Sequence, residues 1–506
     1  MKQAQGRFVA VCHGMIFYIL FFFSVFARAQ STDAHVCPNA EFNRQSWMED
    51  FSQLTAGMSS HYANLEFAIH DRHMDLPQLR KDTEGKLQAS CDEHDARSAI
   101  ESFLKAFGDG HLVVDWPKAS SSPAATTGTE STDLCSRLGY KKQQFKPGIE
   151  FSQLPQFASL GGDEAEWFPG GILRLGNTRI GVIRMAIFSE HSFPEVCERV
   201  VAEKHLAASD KCDDKCDDGI AVETGNRLTA ALVRRSEQLQ AAGAAAILVD
   251  ITNNGGGSDW VESVMRSLSR VPLHESRLAF IKHEHWTKEL QDELEQVKAD
   301  EKQGAGSKDI LQEAAARLQL GIARSKEPCD RNNIWIDGRI SCSLLVPDLL
   351  FASGLLPYAE AGSFASLESR SDLFHPLQYV YTESSDRLPL YVVQNAHTWS
   401  AAELFSAVLQ DNGGAVILGE VTGGAGCGYT NDGIPTTLKN SHADVKMPDC
   451  VRLRKDGSNE NRGVTPDVWV PWAAQDNAYI HAEKFFEVLQ NVIGTGSKEG
   501  MNETHP

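Results

Sequence analysis

Residues 245–268, AAILVDITNNGGGSDWVESVMRSL, run from an apolar stretch through three glycines into a stretch with helical spacing. Nearly every position from Ala245 to Ile251 is apolar, which is typical of a strand buried on both faces of a sheet. Residues Trp260 to Leu268 follow the glycines and have the pattern of a helix. This strand–turn–helix unit predicts an α/β fold with parallel strand pairs.

The same alternation continues on both sides of this unit. It predicts strands over 180–188, 388–393 and 415–418, and helices over 226–242 and 401–410. A charged helical stretch over 283–325 interrupts the alternation, and we interpret it as a hairpin insertion or a lid. After this insertion, the pair Asp337-Gly338 fits a tight β-turn. The chain is therefore predicted to have a core of mixed sheets covered by helices.

The pattern divides the chain into five predicted segments. They are a signal peptide (1–29), a helical N-terminal subdomain (30–115), a linker with a small β-containing segment (116–177), the core (178–475), and a C-terminal helix and tail (476–506). The N-terminal subdomain is inferred from apolar residues at helical spacing, namely Trp47, Phe51, Leu54 and Met58. Small and polar residues over 118–133 are typical of an exposed loop.

The first residues have the features of an export signal. Lys2 and Arg7 precede an apolar run from Met15 to Phe26, and Ala27-Arg28-Ala29 offers small residues to a signal peptidase. The apolar run is shorter than the roughly 20 residues that a membrane span needs. The chain is therefore predicted to be periplasmic or secreted, with the mature protein starting near Gln30 and without stable membrane insertion. A retained N-terminal anchor is the alternative.

The overall charge indicates which partners to expect. The formal net charge is -20, from 68 acidic and 48 basic side chains, and no basic stripe offsets it. Such a surface repels phosphate backbones, so nucleic acid is not expected as a partner. The acidity is typical of a soluble extracytoplasmic surface, and steering of substrate is the alternative interpretation.

The cysteines are consistent with export. Of eleven cysteines, Cys12 lies in the predicted signal peptide, and the remaining ten form an even number. An even number in an exported chain indicates disulfides. Three pairs lie close together in the sequence: Cys212 with Cys216, Cys329 with Cys342, and Cys427 with Cys450.

Three segments carry residues suited to chemistry. Ser400 comes directly before the helix predicted over 401–410, where outward N–H groups and the helix dipole favour negative charge. That position suits a nucleophile, although an ordinary helix N-cap explains a serine there equally well. The glycines at 255–257 let backbone N–H groups approach a ligand, or they form a flexible turn. Residues 459–468, NENRGVTPDV, are by themselves only a turn into a strand.

In order, these segments resemble the tail-specific (C-terminal processing) serine peptidases, the tricorn core protease and interphotoreceptor retinoid-binding protein. The matching motifs are Asp109-Gly110-His111, Asp250 to Gly257, Ser400 to Glu403, and Gly463 to Asp467. The resemblance covers roughly residues 40–115 and 178–475, and four motifs in order are a specific signal. It implies a ClpP/crotonase-like core and a peptidase whose nucleophile is Ser400.

Two departures from the tail-specific pattern decide the expected base. That branch uses a lysine 25 residues after the serine, but Ala425 stands there, and residues 419–428 contain no lysine. The tricorn branch uses a histidine oriented by a glutamate, and His111 and Glu460 match those positions. Gly110 replaces the serine that precedes the tricorn histidine. The resemblance therefore places the chain closer to the tricorn and retinoid-binding branch.

The sequence thus predicts an exported serine endopeptidase that acts on peptides or proteins through an acyl-enzyme on Ser400. His111 and Glu460 would form the proton relay, and the N–H groups of Gly256 and Ala401 would form the oxyanion hole. Neither a metal nor an organic cofactor is expected, and the oligomeric state stays open. The alternative is a non-catalytic binding protein for small apolar ligands on the same fold.

Overall fold

The computed structural model describes residues 42–117, 133–304, 308–430 and 433–496. The predicted signal peptide and nearly all of the loop at 118–133 lie outside these residues. Within the described ranges, none of the helices combines the length and the apolarity that crossing a bilayer requires.

Helices open the described chain and share one apolar core. They are α1 (Arg44–His61), α2 (Leu65–His70), α3 (Leu76–Ala89) and α4 (Glu93–Lys105), followed by strand β1 (Val113–Asp115). The predicted apolar stripe of α1 is buried there, with Leu54 and Met58 fully enclosed. Val445, from near the other end of the chain, packs in the same core, so these helices are fastened to the rest of the molecule.

The elements of the larger part of the chain alternate as predicted. Its first half contains α5 (Leu134–Arg137), β2 (Phe157–Ser159), β3 (Gly170–Leu175), β4 (Thr178–Arg184), α6 (Pro194–Glu203), α7 (Asp214–Ala241), β5 (Ala246–Asp250), α8 (Trp260–Leu268), β6 (Arg277–Ile281), α9 (Glu284–Gln303) and α10 (Lys308–Ser325). Its second half contains α11 (Ile334–Asp337), β7 (Leu345–Phe351), α12 (Arg370–Leu373), β8 (Leu390–Gln394), α13 (Ala401–Asp411), β9 (Val416–Gly419), β10 (Thr436–Thr437), β11 (Asp444–Lys446), β12 (Cys450–Leu453), β13 (Val468–Trp469) and α14 (Ala478–Gly496). Short 3₁₀ helices cover Phe151–Gln153, Asp163–Ala165, Glu190–Ser192, His375–Gln378 and Glu460–Arg462.

A seven-stranded sheet in the order β13-β9-β8-β5-β4-β3-β2 forms the centre. The strands from β13 to β4 pair in parallel, whereas β3 and β2 add antiparallel pairs at one edge. Two three-stranded antiparallel sheets, β1-β11-β10 and β12-β6-β7, complete the fold. The predicted core of mixed sheets and helices is confirmed.

Apolar layers cover both faces of the central sheet. Leu232 of α7, Val264 of α8 and Phe405 of α13 belong to the core on one face. Phe485 and Leu489 of α14 belong to the core on the other face. All five residues of β5 are buried, which explains why its sequence is apolar without alternation.

The register of the parallel strands brings three loops to one edge. Asp250 at the end of β5 is paired with Val393, and Gln394 at the end of β8 is paired with Gly419 at the end of β9. Because the strands are parallel, the loops that follow their carboxyl ends leave the sheet side by side. Ligands of open α/β sheets bind at this edge.

Two sequence predictions need correction, and one is confirmed. The β-turn at Asp337-Gly338 is wrong, because residues 334–337 form the helical turn α11, and Gly338 ends it at φ 70°. Trp335 is buried in the core of the N-terminal helices, so packing decides the local conformation. The strand predicted over 180–188 ends earlier, at Arg184.

The predicted helical hairpin is confirmed as α9 and α10, which pack on each other.

Disulfides connect the described cysteines largely as expected. The three pairs close in sequence are all bonded. A fourth bond joins Cys135 to Cys197 across 62 residues, which sequence spacing did not indicate. Oxidising compartments favour such bonds.

Candidate active site

Ser400 occupies a strained turn between β8 and α13. It is the N-cap residue of α13, with φ 56° and ψ -118°. An ordinary N-cap lies in the β region, whereas residues other than glycine adopt a positive φ uncommonly. Such a conformation costs about 1–3 kcal/mol and is concentrated at functional sites. Helix capping alone does not require this turn.

The carboxylate of Glu403 holds that turn in place. One oxygen, Oε2, accepts hydrogen bonds from the backbone N–H of Ser400 at 2.9 Å and of Ala425 at 2.8 Å. The other, Oε1, accepts from Thr422 Oγ1 and from Gly424 N, each at 2.6 Å. Burial raises the pKa of Glu403 to about 7. Glu403 therefore joins the serine turn to the loop after β9, in a structural role.

Gly256 touches the backbone of the serine turn. Its φ is +97°, and a Cβ atom there would lie 2.7 Å from Ser400 Cβ and 2.8 Å from the Trp399 carbonyl oxygen. Real Cβ atoms do not approach other atoms so closely, so only glycine fits. The strand–turn–helix unit thus places its glycines against the predicted nucleophile.

The two predicted oxyanion donors differ in their present partners. The Gly256 N–H donates to Asn254 Oδ1 at 2.8 Å, so this N–H is occupied in the structure. The Ala401 N–H donates to no acceptor in the described ranges. The geometry therefore leaves one predicted donor free and the other engaged by a neighbouring side chain.

Gly256→Ala is expected to lower kcat/KM at least about 100-fold, because displacement of reacting groups by about 1 Å costs that much. The added methyl must push Ser400 or the glycine turn aside. Gly255→Ala is the matched control, since a Cβ there meets no atom within 4 Å. Peptide turnover measures the effect, and thermal melting verifies folding. Wild-type turnover by a folded Gly256→Ala protein would contradict this account of the turn.

His111 is bound by the loop after β9, the same loop whose backbone donates hydrogen bonds to Glu403. Its Nδ1 lies 2.9 Å from the carbonyl oxygen of Ala425. Because a carbonyl only accepts, Nδ1 carries the proton, and Nε2 is left with a free lone pair. The Tyr429 hydroxyl donates to the His111 carbonyl, and Gly428 leaves space beside the ring. Burial lowers the pKa of His111.

Asp109 fixes the backbone that carries His111. Its Oδ1 accepts from the His111 N–H at 3.0 Å, and its Oδ2 accepts from Tyr62 Oη and Asn64 Nδ2, both at 2.9 Å. Burial raises the pKa of Asp109. Sequence analysis did not single out Tyr62 or Asn64, because neither belongs to a motif.

Glu460 lies near the site but is paired with Arg452. The guanidinium donates to the two carboxylate oxygens at 2.8 Å and 2.6 Å. Among the described residues, no hydrogen bond joins Glu460 to His111, whose Nδ1 is bonded to the Ala425 carbonyl. A bidentate pair satisfies both oxygens of the carboxylate. The predicted relay therefore lacks direct contact, and the role of Glu460 stays a prediction.

Arg452 is the residue that sequence reasoning missed. Besides Glu460, its Nη2 contacts the carbonyl oxygens of Ser400 at 3.2 Å and Gly426 at 2.7 Å. It comes from β12, outside every motif, so no sequence signal indicated it. Arg452 links the serine turn, the loop after β9 and Glu460 in one buried network.

Two departures from the family pattern have a structural explanation. A Cβ on Gly110 would lie 2.6 Å from the Trp399 ring, so the tricorn-type serine has no room. Ala425 uses its backbone N–H and carbonyl to join Glu403 to His111.

His397, which lies three residues before Ser400, is exposed, and its backbone N–H donates to Asn395 Oδ1.

Comparison with known proteins places this site in a family. The model of Peptidase family S41 matches residues 179–470, more than half of the chain. A protein of Chlamydia pneumoniae is 25% identical over 270 residues, which cover 51% of this chain but 38% of that protein. A protein of Chlamydia muridarum is 24% identical over 264 residues, again 38% of its length. The chain thus matches well under two thirds of these relatives' length.

Solved structures share the fold. Mature CPAF complexed with lactacystin superposes with a TM-score of 0.52 at 16% identity, covering 89% of this chain and 98% of that one. The tricorn protease superposes with a TM-score of 0.32 at 10% identity, covering 89% of this chain and 37% of that one. The placement closer to the tricorn and retinoid-binding branch therefore stays a prediction.

Proposed function

The chain belongs to peptidase family S41, and on that premise we propose that it is a serine endopeptidase acting on peptides or proteins. One observation carries the proposal: a continuous hydrogen-bond path joins the strained Ser400 turn through Glu403 and the Ala425 backbone to His111. The path supports a nucleophile and a base whose positions are set together.

The proposed reaction uses groups of this chain alone. His111 Nε2 takes the proton of the Ser400 hydroxyl, and the alkoxide attacks the scissile carbonyl carbon to form a tetrahedral oxyanion. As that intermediate collapses, the C–N bond breaks, and the imidazolium returns its proton to the leaving amine. His111 then takes a proton from water, whose oxygen attacks the acyl-enzyme carbonyl. As this second intermediate collapses, the bond from the acyl carbon to Ser400 Oγ breaks, and the imidazolium returns its proton to Oγ, which releases the carboxylic acid and restores His111.

The oxyanion is proposed to form at the start of α13. The Ala401 N–H supplies one donor, and the Gly256 N–H becomes the second when substrate draws it from Asn254 Oδ1. This exchange leaves the buried Asn254 Oδ1 without its present donor, which costs about 1–3 kcal/mol, so the bond to the oxyanion must contribute more than that. Loss of one oxyanion donor typically lowers the rate by about 10²-fold or more.

Glu460 is proposed to act through Arg452 rather than by touching His111. Their buried ion pair holds the carbonyl groups of Ser400 and Gly426 and keeps the network compact.

Export to the periplasm or the exterior remains our proposal for the location of the protein, supported by the four disulfides of the described residues.

A fluorophosphonate probe tests the proposed function directly. Native protein is expected to be labelled once per chain at Ser400, because the probe reacts with activated serine hydroxyls. Mass spectrometry of the labelled peptide identifies the residue, and heat-denatured protein is the control. Native protein that stays unlabelled would favour the alternative, a binding protein for small apolar ligands.

A further inference from the structure

One cavity of the described structure is lined in part by residues that also contact the candidate active site. Its volume is about 430 Å³. Leu404 of α13, Tyr429 and Arg452 are among the residues that line it. The same Tyr429 donates to the His111 carbonyl, and the same Arg452 contacts the Ser400 carbonyl. A group bound in this cavity would therefore lie close to the reacting atoms.

The lining of the cavity is rich in acidic side chains. Six carboxylates line it: Asp259, Glu262, Glu289, Asp292, Glu293 and Asp372. The basic residues in the lining are His375 and Arg452, and the guanidinium of Arg452 is already paired with Glu460. Acidic side chains therefore outnumber basic ones in the lining.

Glu262 is a buried residue of the cavity whose carboxyl group has an oxygen without a hydrogen-bond partner among the described residues. This residue is 1% exposed, and its Oε2 has no hydrogen-bond partner among the described residues. The neighbouring Arg266 donates to Glu275 and to the backbone carbonyl of Glu262, and among the described residues no hydrogen bond joins its guanidinium to the Glu262 carboxyl group. A buried polar group without a partner is costly, and a bound cation would relieve that cost.

Burial also disfavours the ionised form of two further carboxyl groups of the cavity, Glu293 and Asp372. Burial, together with the charge of Asp372, raises the pKa of Glu293 to about 8. Burial also raises the pKa of Asp372 to about 6, and Asp372 Oδ2 has no hydrogen-bond partner within the described ranges. Both side chains line the cavity, so a positive charge between them would stabilise their ionised forms.

The spacing of the carboxylates favours a long cation over a metal ion. In the described part of the chain, no group of three or more His, Cys, Asp or Glu side chains could hold a metal ion. The volume of the cavity is instead large enough for an extended side chain. A lysine or arginine carries one charge at the end of such a chain.

We propose that this acidic cavity binds a lysine or arginine side chain of the peptide substrate, close to the scissile bond. The inference rests on the proposed peptidase function and adds a substrate class to it. Glu262 and Glu293 would determine the preference, and the insertion hairpin supplies Glu293 through α9. The predicted insertion thus becomes part of the substrate site.

Paired peptides test the preference. In one set, arginine is moved through each position around the cleavage site, and the matched set has the neutral isostere citrulline. At one position, kcat/KM is expected to be at least about tenfold higher with arginine, because a charge-assisted hydrogen bond contributes about that much. Glu293→Gln should remove most of the preference. Glu295→Gln, exposed on the same helix, should keep it.

Folding of each variant is verified by thermal melting. If Glu293→Gln does not fold, Asp292→Asn, which changes an exposed residue of the lining, replaces it and should weaken the preference. Cleavage of both peptide sets at equal rates would overturn the proposal. Stoichiometric Ca²⁺ binding in calorimetry that Glu293→Gln abolishes, without any peptide preference, would overturn it as well.

A binding measurement separates this inference from the proposed function. Ser400→Ala protein is titrated with fluorescent arginine and citrulline peptides, and anisotropy reports the affinity. If wild-type protein cleaves neither peptide but binds arginine more tightly in a Glu293-dependent way, the cavity assignment stands and the peptidase proposal fails. If the wild-type protein cleaves both peptides at equal rates and the Ser400→Ala protein binds both equally tightly, the peptidase proposal stands and the cavity assignment fails.

Discussion

Ser400→Ala is expected to lower kcat for peptide hydrolysis by at least about 10⁴-fold, as loss of the nucleophile does in other serine hydrolases. The variant removes the hydroxyl that would form the acyl-enzyme. It also removes fluorophosphonate labelling, because no activated serine remains at the site. The fold should persist, since loss of a helix-start side chain costs about 1 kcal/mol.

Ser406→Ala is the matched control for this prediction. Ser406 lies in the same helix α13, and its buried hydroxyl has no hydrogen-bond partner in the described ranges. Its loss should leave labelling and turnover at the wild-type level. Full activity of a folded Ser400→Ala protein would remove Ser400 from the mechanism.

His111→Ala should cause the second large loss, about 10⁴-fold or more in kcat, because the serine proton would have no acceptor. Glu460→Gln should lose less, because Glu460 contacts Arg452 and not the imidazole. His397→Ala serves as the control, since His397 is exposed and also lies close to Ser400 in sequence. If His397→Ala is inactive and His111→Ala is active, the base is assigned wrongly.

The pH profile gives an independent measure of His111. A protonated imidazole cannot accept the serine proton, so kcat/KM should fall as pH drops through the His111 pKa. Burial lowers that pKa from its ordinary value of 6.5. The acidic limb is therefore expected below pH 6.5, and Glu460→Gln should leave a limb of the same sign. An acidic limb well above pH 6.5 would contradict the buried, neutral imidazole.

Much of the central fold could be predicted from local pattern. β5 is buried on both faces, so its sequence is a nearly continuous apolar run. Such a run predicts a strand even when its neighbouring strands are unknown. The helix at Trp260–Leu268 was predicted with its observed ends. Asp337-Gly338 was misread because the burial of Trp335 decided the conformation of that turn.

The candidate site was predictable where its residues belong to motifs. Ser400, His111 and the glycine turn were identified from order and spacing in the chain. Arg452 and the Asn254 contact with Gly256 were not, because both depend on which side chains the fold brings together. A carboxylate such as Glu460 has the same sequence context whether it orients a histidine or pairs with an arginine.

By itself, the sequence predicted the parallel α/β core and singled out Ser400 as candidate nucleophile and His111 as candidate base, with Ala425 at the position of the family lysine. These features follow from local periodicity and from short motifs in a fixed order. The tertiary structure alone decided that Glu403 and the Ala425 backbone connect Ser400 with His111. It also decided that carboxylates from 259 to 372 share one cavity. Hydrogen bonds and charge interactions depend on distances in space, and only the packed sheets and helices set those distances.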